Sequence, residues 1–304
     1  MSSLTKVMIS PHIHSGRSTA GIMRDVLIAL MPATVVGIVF FGWRALLPIL
    51  ICVVCCVGFE AIFNIVTKRD QTVGDLSAAV TGLLLALNLP VNIPLWQCAV
   101  GSLFAIIIVK CLFGGIGANL VNPAITARVF MLVAFDSLAV TAYPTDVVAT
   151  ATPLGGWSPT LLESFIGNYG GCIGETCTAA LIAGGIYLLL RRIITWHIPV
   201  AFIGTVFVFS LFMESLDASV ALSLTMAGGV FIGAIFMATD YVTSPSTAWG
   251  KLIFGLGAGL ITCLIRYFGN YPEGVSFAIL FMNILTPYID RLTRHKVFAS
   301  GGKS

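Results

Sequence analysis

A few residues in this sequence carry chemistry that their neighbours do not explain. Glu60 falls inside a long apolar run, where an unpaired carboxylate costs several kcal/mol unless it protonates, pairs or holds an ion. Asp75 and Asp240 stand at the ends of two further apolar runs, and Arg128 lies within a third. Structural pairing and cation entry are both open to these groups. Together Glu60, Asp75 and Asp240 form a candidate ion pathway. A different kind of chemistry is offered by Asp146-Val147-Val148-Ala149-Thr150-Ala151-Thr152-Pro153. Ala149 and Ala151 leave the Thr152 hydroxyl unshielded, and Pro153 pushes the residue before it toward extended backbone. Thr152 therefore offers an accessible hydroxyl, with Thr150 a second one in the Ala-Thr repeat and Asp146 six positions before Thr152.

Other reactive side chains read as structural. Cys52, Cys55 and Cys56 share one helical stretch, but a metal or iron–sulfur site usually needs four ligands in suitable geometry, and these read as buried thiols. Cys172 and Cys177 could pair in an oxidising compartment, although spacing alone is poor evidence for that. His12 and His14 form an isolated pair, read as structural. Gly255-x-Gly257-x-Gly259 lies in an apolar run without the strand-to-helix setting of a nucleotide loop, and reads as helix packing.

The elements that hold these residues must be membrane helices. The chain has 304 residues, 58% hydrophobic and 10% charged, with a mean hydropathy of +1.00, whereas a soluble domain carries about 25% charged residues. Long apolar runs fall at 25–41, 45–66, 75–89, 95–113 and 122–135, then at 173–192, 196–212, 219–238, 249–268 and 275–290. The runs 75–89 and 122–135 are short for a crossing. The expected fold is thus an all-α membrane protein of about ten transmembrane helices, a single membrane domain over 1–304. No apolar run precedes Met23, so no cleavable signal peptide is expected.

Basic residues set the orientation. With the N-terminus inside, the inner segments hold nearly all of them, from Lys6 through Lys68, Arg69, Lys110, Arg191, Arg192 and Lys251 to Lys303. The outer segments hold only Arg44 and Arg266. The positive-inside rule then gives N-in and C-in. One outer loop, over about 136–172, has neither Lys nor Arg. The basic residues are dispersed at segment ends rather than forming a stripe, so no nucleic-acid partner is expected.

Five runs on either side of that loop imply a second half inverted relative to the first, with repeat one over about 22–135 and repeat two over about 173–291. Lys110-Cys111-Leu112-Phe113-Gly114 followed by Asn122-Pro123-Ala124 echoes Arg266-Tyr267-Phe268-Gly269 followed by Tyr271-Pro272-Glu273-Gly274. The third run of each half mixes small and polar residues, as in Val80-Thr81-Gly82 and Thr225-Met226-Ala227-Gly228-Gly229, which suits close helix packing or a broken helix at a midplane site.

Several segments in order carry a resemblance. They are Ser10-Pro11-His12 with Ser15-Gly16-Arg17-Ser18-Thr19, Val80-Thr81-Gly82-Leu83-Leu84, Gly114-Gly115-Ile116-Gly117 with Asn122-Pro123-Ala124, Met237-Ala238-Thr239-Asp240 with Thr243-Ser244-Pro245, and Tyr271-Pro272-Glu273-Gly274. Together they resemble the RnfD component of the Rnf electron-transport complex and, more distantly, its counterpart in the sodium-translocating NADH:quinone reductase. The loop motif is similar to the Asp-x-x-(Ser/Thr)-Gly-Ala-Thr signature at which a flavin transferase esterifies FMN onto threonine, departing from it at Ala149 and Thr150.

The resemblance implies a subunit of a bacterial inner-membrane translocase that passes electrons between reduced ferredoxin and NAD, coupled to Na⁺ or H⁺. It implies FMN held covalently through a phosphoester on Thr152, facing outward, with riboflavin also associated. It implies Rnf subunits A, B, C, E and G as partners, with the NAD and ferredoxin sites on those partners. The competing readings are a solute channel or secondary transporter without a redox cofactor, and a structural scaffold. A flavin acceptor in the outer loop separates them.

Overall fold

The computed structural model describes residues 18–135, 161–167, 170–269 and 274–294. Among them the regular structure is helical. The first half holds α1 (Thr19–Phe41), α2 (Trp43–Val66), α3 (Ser77–Leu87), α4 (Leu95–Leu103, running on as a π-helix over Phe104–Cys111) and α5 (Pro123–Ala134). A short α6 (Leu161–Ile166) precedes the second half. That half holds α7 (Thr178–Leu190), α8 (His197–Met213), α9 (Ala218–Met226), α10 (Val230–Ile232, running on as a π-helix over Gly233–Met237), α11 (Ala248–Phe268) and α12 (Val275–Thr293).

All ten apolar runs expected from sequence contain helix. Four helices, α1, α2, α11 and α12, are long and apolar enough to cross a membrane. Only 28% to 44% of their most apolar windows is buried, so most of that apolar surface faces outward, as lipid contact requires. Pro32, Pro48 and Pro287 sit inside α1, α2 and α12, a position tolerated where neighbouring helices re-satisfy the backbone. The remaining apolar helices are shorter.

The run 219–238 is not one straight span. It breaks at Ala227-Gly228-Gly229, and α9 and the α10 helix meet at 65°. Gly228 takes φ +70°, open to glycine at little cost. In the first half α3 has 11 residues, a rise of about 17 Å against a hydrocarbon core of about 30 Å. Beyond it the chain over 88–91 continues buried and non-helical, allowed at depth only when protein surrounds it. The segment leading into α7 closes that end. Gly174 N–H donates to the Leu87 carbonyl (2.7 Å) and Ile173 N–H to the Leu89 carbonyl (3.1 Å).

The helices pack in matching sets. α2 holds α3 and α4, as α8 holds α9 and α11, while α1 lies on α7 and α5 on α12. Small residues set the approach. A Cβ on Gly184 of α7 would fall 2.1 Å from the Ala29 carbonyl of α1, and one on Gly82 of α3 would fall 2.7 Å from the Cys52 carbonyl of α2. Gly255 and Gly259 are where α11 meets α8, each within 2.9 Å of an α8 carbonyl. The glycine run read as helix packing has that role.

Candidate functional site between the two halves

A cavity of about 400 Å³ opens between the halves. Its apolar wall is formed by Ile22, Met23 and Val26 of α1, Val80 and Leu84 of α3, and Phe236 of the second π-helix. Polar groups gather around it: Ser77 and Thr81 of α3, Lys110 of the first π-helix, Asn119 and Asn122, and Thr239 and Asp240. The glycine turn over 114–117 carries Asn119 and Asn122 back to the cavity. Gly114, Gly115 and Gly117 all take positive φ, between +89° and +119°, which a side chain would oppose. Asn122 then caps α5, accepting from the Ala124 N–H (3.0 Å), and donates to the Met237 carbonyl (3.2 Å). One residue thus ends a first-half loop and satisfies a second-half helix end.

The N-terminus of α3 adds positive potential at the cavity, since its first N–H groups lie unpaired along the helix dipole. Asp75 meets part of that need. It accepts from the Ser77 N–H (2.8 Å) and the Ser77 hydroxyl across Leu76, which is held at φ +63°. A non-glycine residue in that region stores strain and persists only where its surroundings enforce it.

Glu60 has its partner. Lys110 Nζ donates to both Glu60 oxygens at 2.8 Å and to Ser77 Oγ at 2.6 Å. The pair is buried, with Glu60 1% and Lys110 2% exposed. Thr72 donates to Glu60 Oε1 (2.7 Å) and accepts from Asn64 (3.0 Å). The structure therefore links Glu60 to Asp75 through Lys110 and Ser77. Asp240 also lines the cavity, with its carboxylate accepting from Thr243 (3.1 Å).

Lys110 is a correction to the charge reading. Counted there with the basic residues of the inner segments, it is one of the largest fully buried side chains and is spent on Glu60 rather than on an exposed inner face. Two further functional candidates had no sequence signal. Glu175 accepts from Arg128 (2.9 Å), and Asn88 accepts from the same guanidinium, while Cys172 Sγ lies 3.6 Å from Arg128 Nη2. This second buried polar centre ties α5, the end of α3 and the segment entering α7. It also touches the break in the second half, where a Cβ on Gly229 would sit 2.9 Å from Glu175 Oε1.

Cys172 and Cys177 are free thiols, as are Cys52, Cys55 and Cys56. Asp146, Thr150 and Thr152 lie outside the described residues, as do His12 and His14.

Known proteins resemble this chain along nearly all its length. The model of the NQR2, RnfD, RnfE family matches residues 6–299. The D component of the Na(+)-translocating ferredoxin:NAD(+) oxidoreductase complex of Acetobacterium woodii is 47% identical over 96% of this chain and 94% of its own. The D component of the proton-translocating ferredoxin:NAD(+) oxidoreductase complex of Clostridium ljungdahlii is 41% identical over 96% and 95%. The D component of the ion-translocating oxidoreductase complex of Marinobacter nauticus is 35% identical over 95% and 94%. With the family model matching residues 6–299 and relatives up to 47% identical over 96% of its length, the chain belongs to the NQR2, RnfD, RnfE family.

Proposed function

We propose that this chain is the flavin-bearing membrane subunit of an ion-translocating electron-transport complex of the ferredoxin:NAD type. Its similarity to the D components of complexes so named supports membership of the complex. The observation that carries a cofactor role for the chain itself is the cavity between the halves. It joins an apolar slot to the hydroxyls of Ser77, Thr81 and Thr239, the carboxamides of Asn119 and Asn122, the Asp240 carboxylate, Lys110 and a helix N-terminus at its edge. A planar ring with polar edges, such as the isoalloxazine of riboflavin, fits that chemistry. Its apolar faces suit Ile22, Val80 and Phe236, and its carbonyls and ring nitrogens suit Thr81 and the asparagines. A flavin here supplies one-electron transfer, and the chain supplies placement and charge.

A second flavin, FMN, is assigned to Thr152 of the outer loop through a phosphoester, with Thr150 as alternative acceptor and Asp146 as part of the motif read by the flavin transferase. The chain crosses the bacterial inner membrane about ten times, N-in and C-in, as two inverted five-helix repeats over about 22–135 and 173–291, joined by the loop over 136–172. The pairing of α1 with α7 and of α5 with α12 supports that arrangement, and the bent α9–α10 pair supports the second-half span. Glu60, Asp75 and Asp240 belong to the path of the coupling ion. Subunits A, B, C, E and G are the partners, and the NAD and ferredoxin sites belong among them.

Two measurements test these assignments. In-gel fluorescence of this chain should vanish in Thr152→Ala and survive in Thr150→Ala, with FMN mass on the peptide containing Thr152. Fluorescence that persists in Thr152→Ala removes the assignment, and a chain with no flavin mass on any peptide returns the reading to a transporter or scaffold. Acid-extractable flavin should fall to background in Ile22→Trp, whose indole fills the cavity.

A further inference from the structure

Lys110 occupies an unusual position in the network. Lys110 lines the cavity, yet all three of its donors are already engaged, two on Glu60 and one on Ser77 at the cavity wall. Glu60 does not line the cavity, and its remaining hydrogen bond runs to Thr72, which is exposed in the turn after α2. Cavity, Lys110, Glu60, Thr72 and surface therefore form one continuous polar sequence with a single buried cation in its middle. Lys110 also sits in a π-helix, a local widening often found at functional sites. Its charge rides on a flexible four-carbon stem, so it can turn without backbone movement.

We propose that Lys110 is a movable positioning charge that couples the redox state of the cavity to cation binding at Glu60; this rests on the reading of the cavity as a flavin site. One electron delivered by the complex's own electron transport adds one negative charge to the cavity. Lys110 turns from Glu60 toward that charge. Glu60, left as a buried unpaired carboxylate, is then too costly to persist and takes one monovalent cation, Na⁺ or H⁺, through Thr72 and Asn64. The count closes, with one electron in the cavity and one cation on Glu60. When the electron leaves, Lys110 returns and displaces the cation.

The other charged or titratable groups about the pair do not serve this purpose. Asp75 is engaged by the Ser77 amide and hydroxyl, and Asp240 accepts from Thr243. Cys56 and Cys111 flank the pair, and Arg69 also acts on Cys111 while lying over the Phe63 ring.

The test is the midpoint potential of the acid-extractable flavin in the intact detergent-solubilised complex, measured against Na⁺ at fixed pH and against pH without Na⁺. In the wild type it should rise by about 59 mV for each tenfold increase in the coupling cation, the one-electron, one-cation value. The arm that shows the slope identifies the cation. Lys110→Met should flatten the slope while retaining the flavin, and Lys110→Arg should restore part of it. If Lys110→Met fails to assemble, the double variant Lys110→Met/Glu60→Gln, which removes both charges together, should assemble and show no slope. A wild-type slope in Lys110→Met or in the double variant overturns the proposal alone. A wild-type complex without extractable flavin overturns both the proposal and the reading of the cavity.

Discussion

Glu60 and Lys110 are 50 positions apart, and each would be intolerable at its depth without the other. Removing one leaves an uncompensated buried charge and costs about 3 to 5 kcal/mol, whereas replacing both by uncharged groups of similar volume is often neutral. Glu60→Gln alone should therefore lower the thermal midpoint of the solubilised complex more than Glu60→Gln with Lys110→Met, and the double-mutant cycle should show strong coupling. Additive effects would mean that the pair does not share its burial. Arg128 and Glu175 answer to the same rule, since each is almost wholly buried. The need for a partner was legible in Glu60 from its apolar setting. The partner was not, because a lysine at the end of an apolar run reads equally well as a membrane-edge charge, and only the fold brings it inward.

At the scale of the element, the decisive features are breaks and close approaches. Gly184→Val should abolish assembly, because its Cβ would fall 2.1 Å from the Ala29 backbone oxygen, which cannot yield. Gly204→Ala, with nothing within 4 Å of the added carbon, should leave thermal stability within about 0.5 kcal/mol of wild type. Equal behaviour of the two variants in size-exclusion and thermal assays would contradict the helix contact. Asp217 gives a pH-dependent example. It caps α9, and hydrogen bonds from the Ser219 hydroxyl, the Ser219 N–H and the Val220 N–H hold its carboxyl below the usual carboxylate range. A carboxyl depressed in the folded state stabilises at pH above its unfolded value, about 3.9, and loses that contribution as pH falls through the folded value. The thermal midpoints of wild type and Asp217→Ala should therefore differ at neutral pH and converge in acid. Helix positions followed from apolar runs, and the shortness of 75–89 and 122–135 was visible at once. The break at 227–229 was visible only as one of two alternatives, because Thr225-Met226-Ala227-Gly228-Gly229 suits a tightly packed helix as well as an interrupted one.

For the molecule as a whole, charge placement yields an orientation that direct labelling can check. Single cysteines placed in a cysteine-free background at Ser3 and Ser304 should be shielded from an impermeant maleimide in right-side-out vesicles, and one at Ser158 in the loop should react. The reverse pattern would invert the assignment of the loop and of the flavin on it. The all-helical membrane fold was readable from composition because so few charges are present to solvate a surface. The cavity was not, because it is assembled from α1, α3, the first π-helix and the end of the second, and no local pattern specifies which distant runs share a wall.

Arg128 belongs to the first half and Glu175 to the second, and the same division separates Asp25 from Arg191, which pair at 3.0 Å. During synthesis the first five helices are complete before either acidic or basic counterpart in the second half has left the ribosome. For that interval Arg128 has its first-half partner Asn88 but not its carboxylate, and the end of α3 lacks the amides of Ile173 and Gly174. A truncated or stalled chain therefore leaves Arg128 without the carboxylate that balances it in the finished fold. Quality-control proteases that recognise polar groups in lipid would distinguish it from the finished subunit without any dedicated signal.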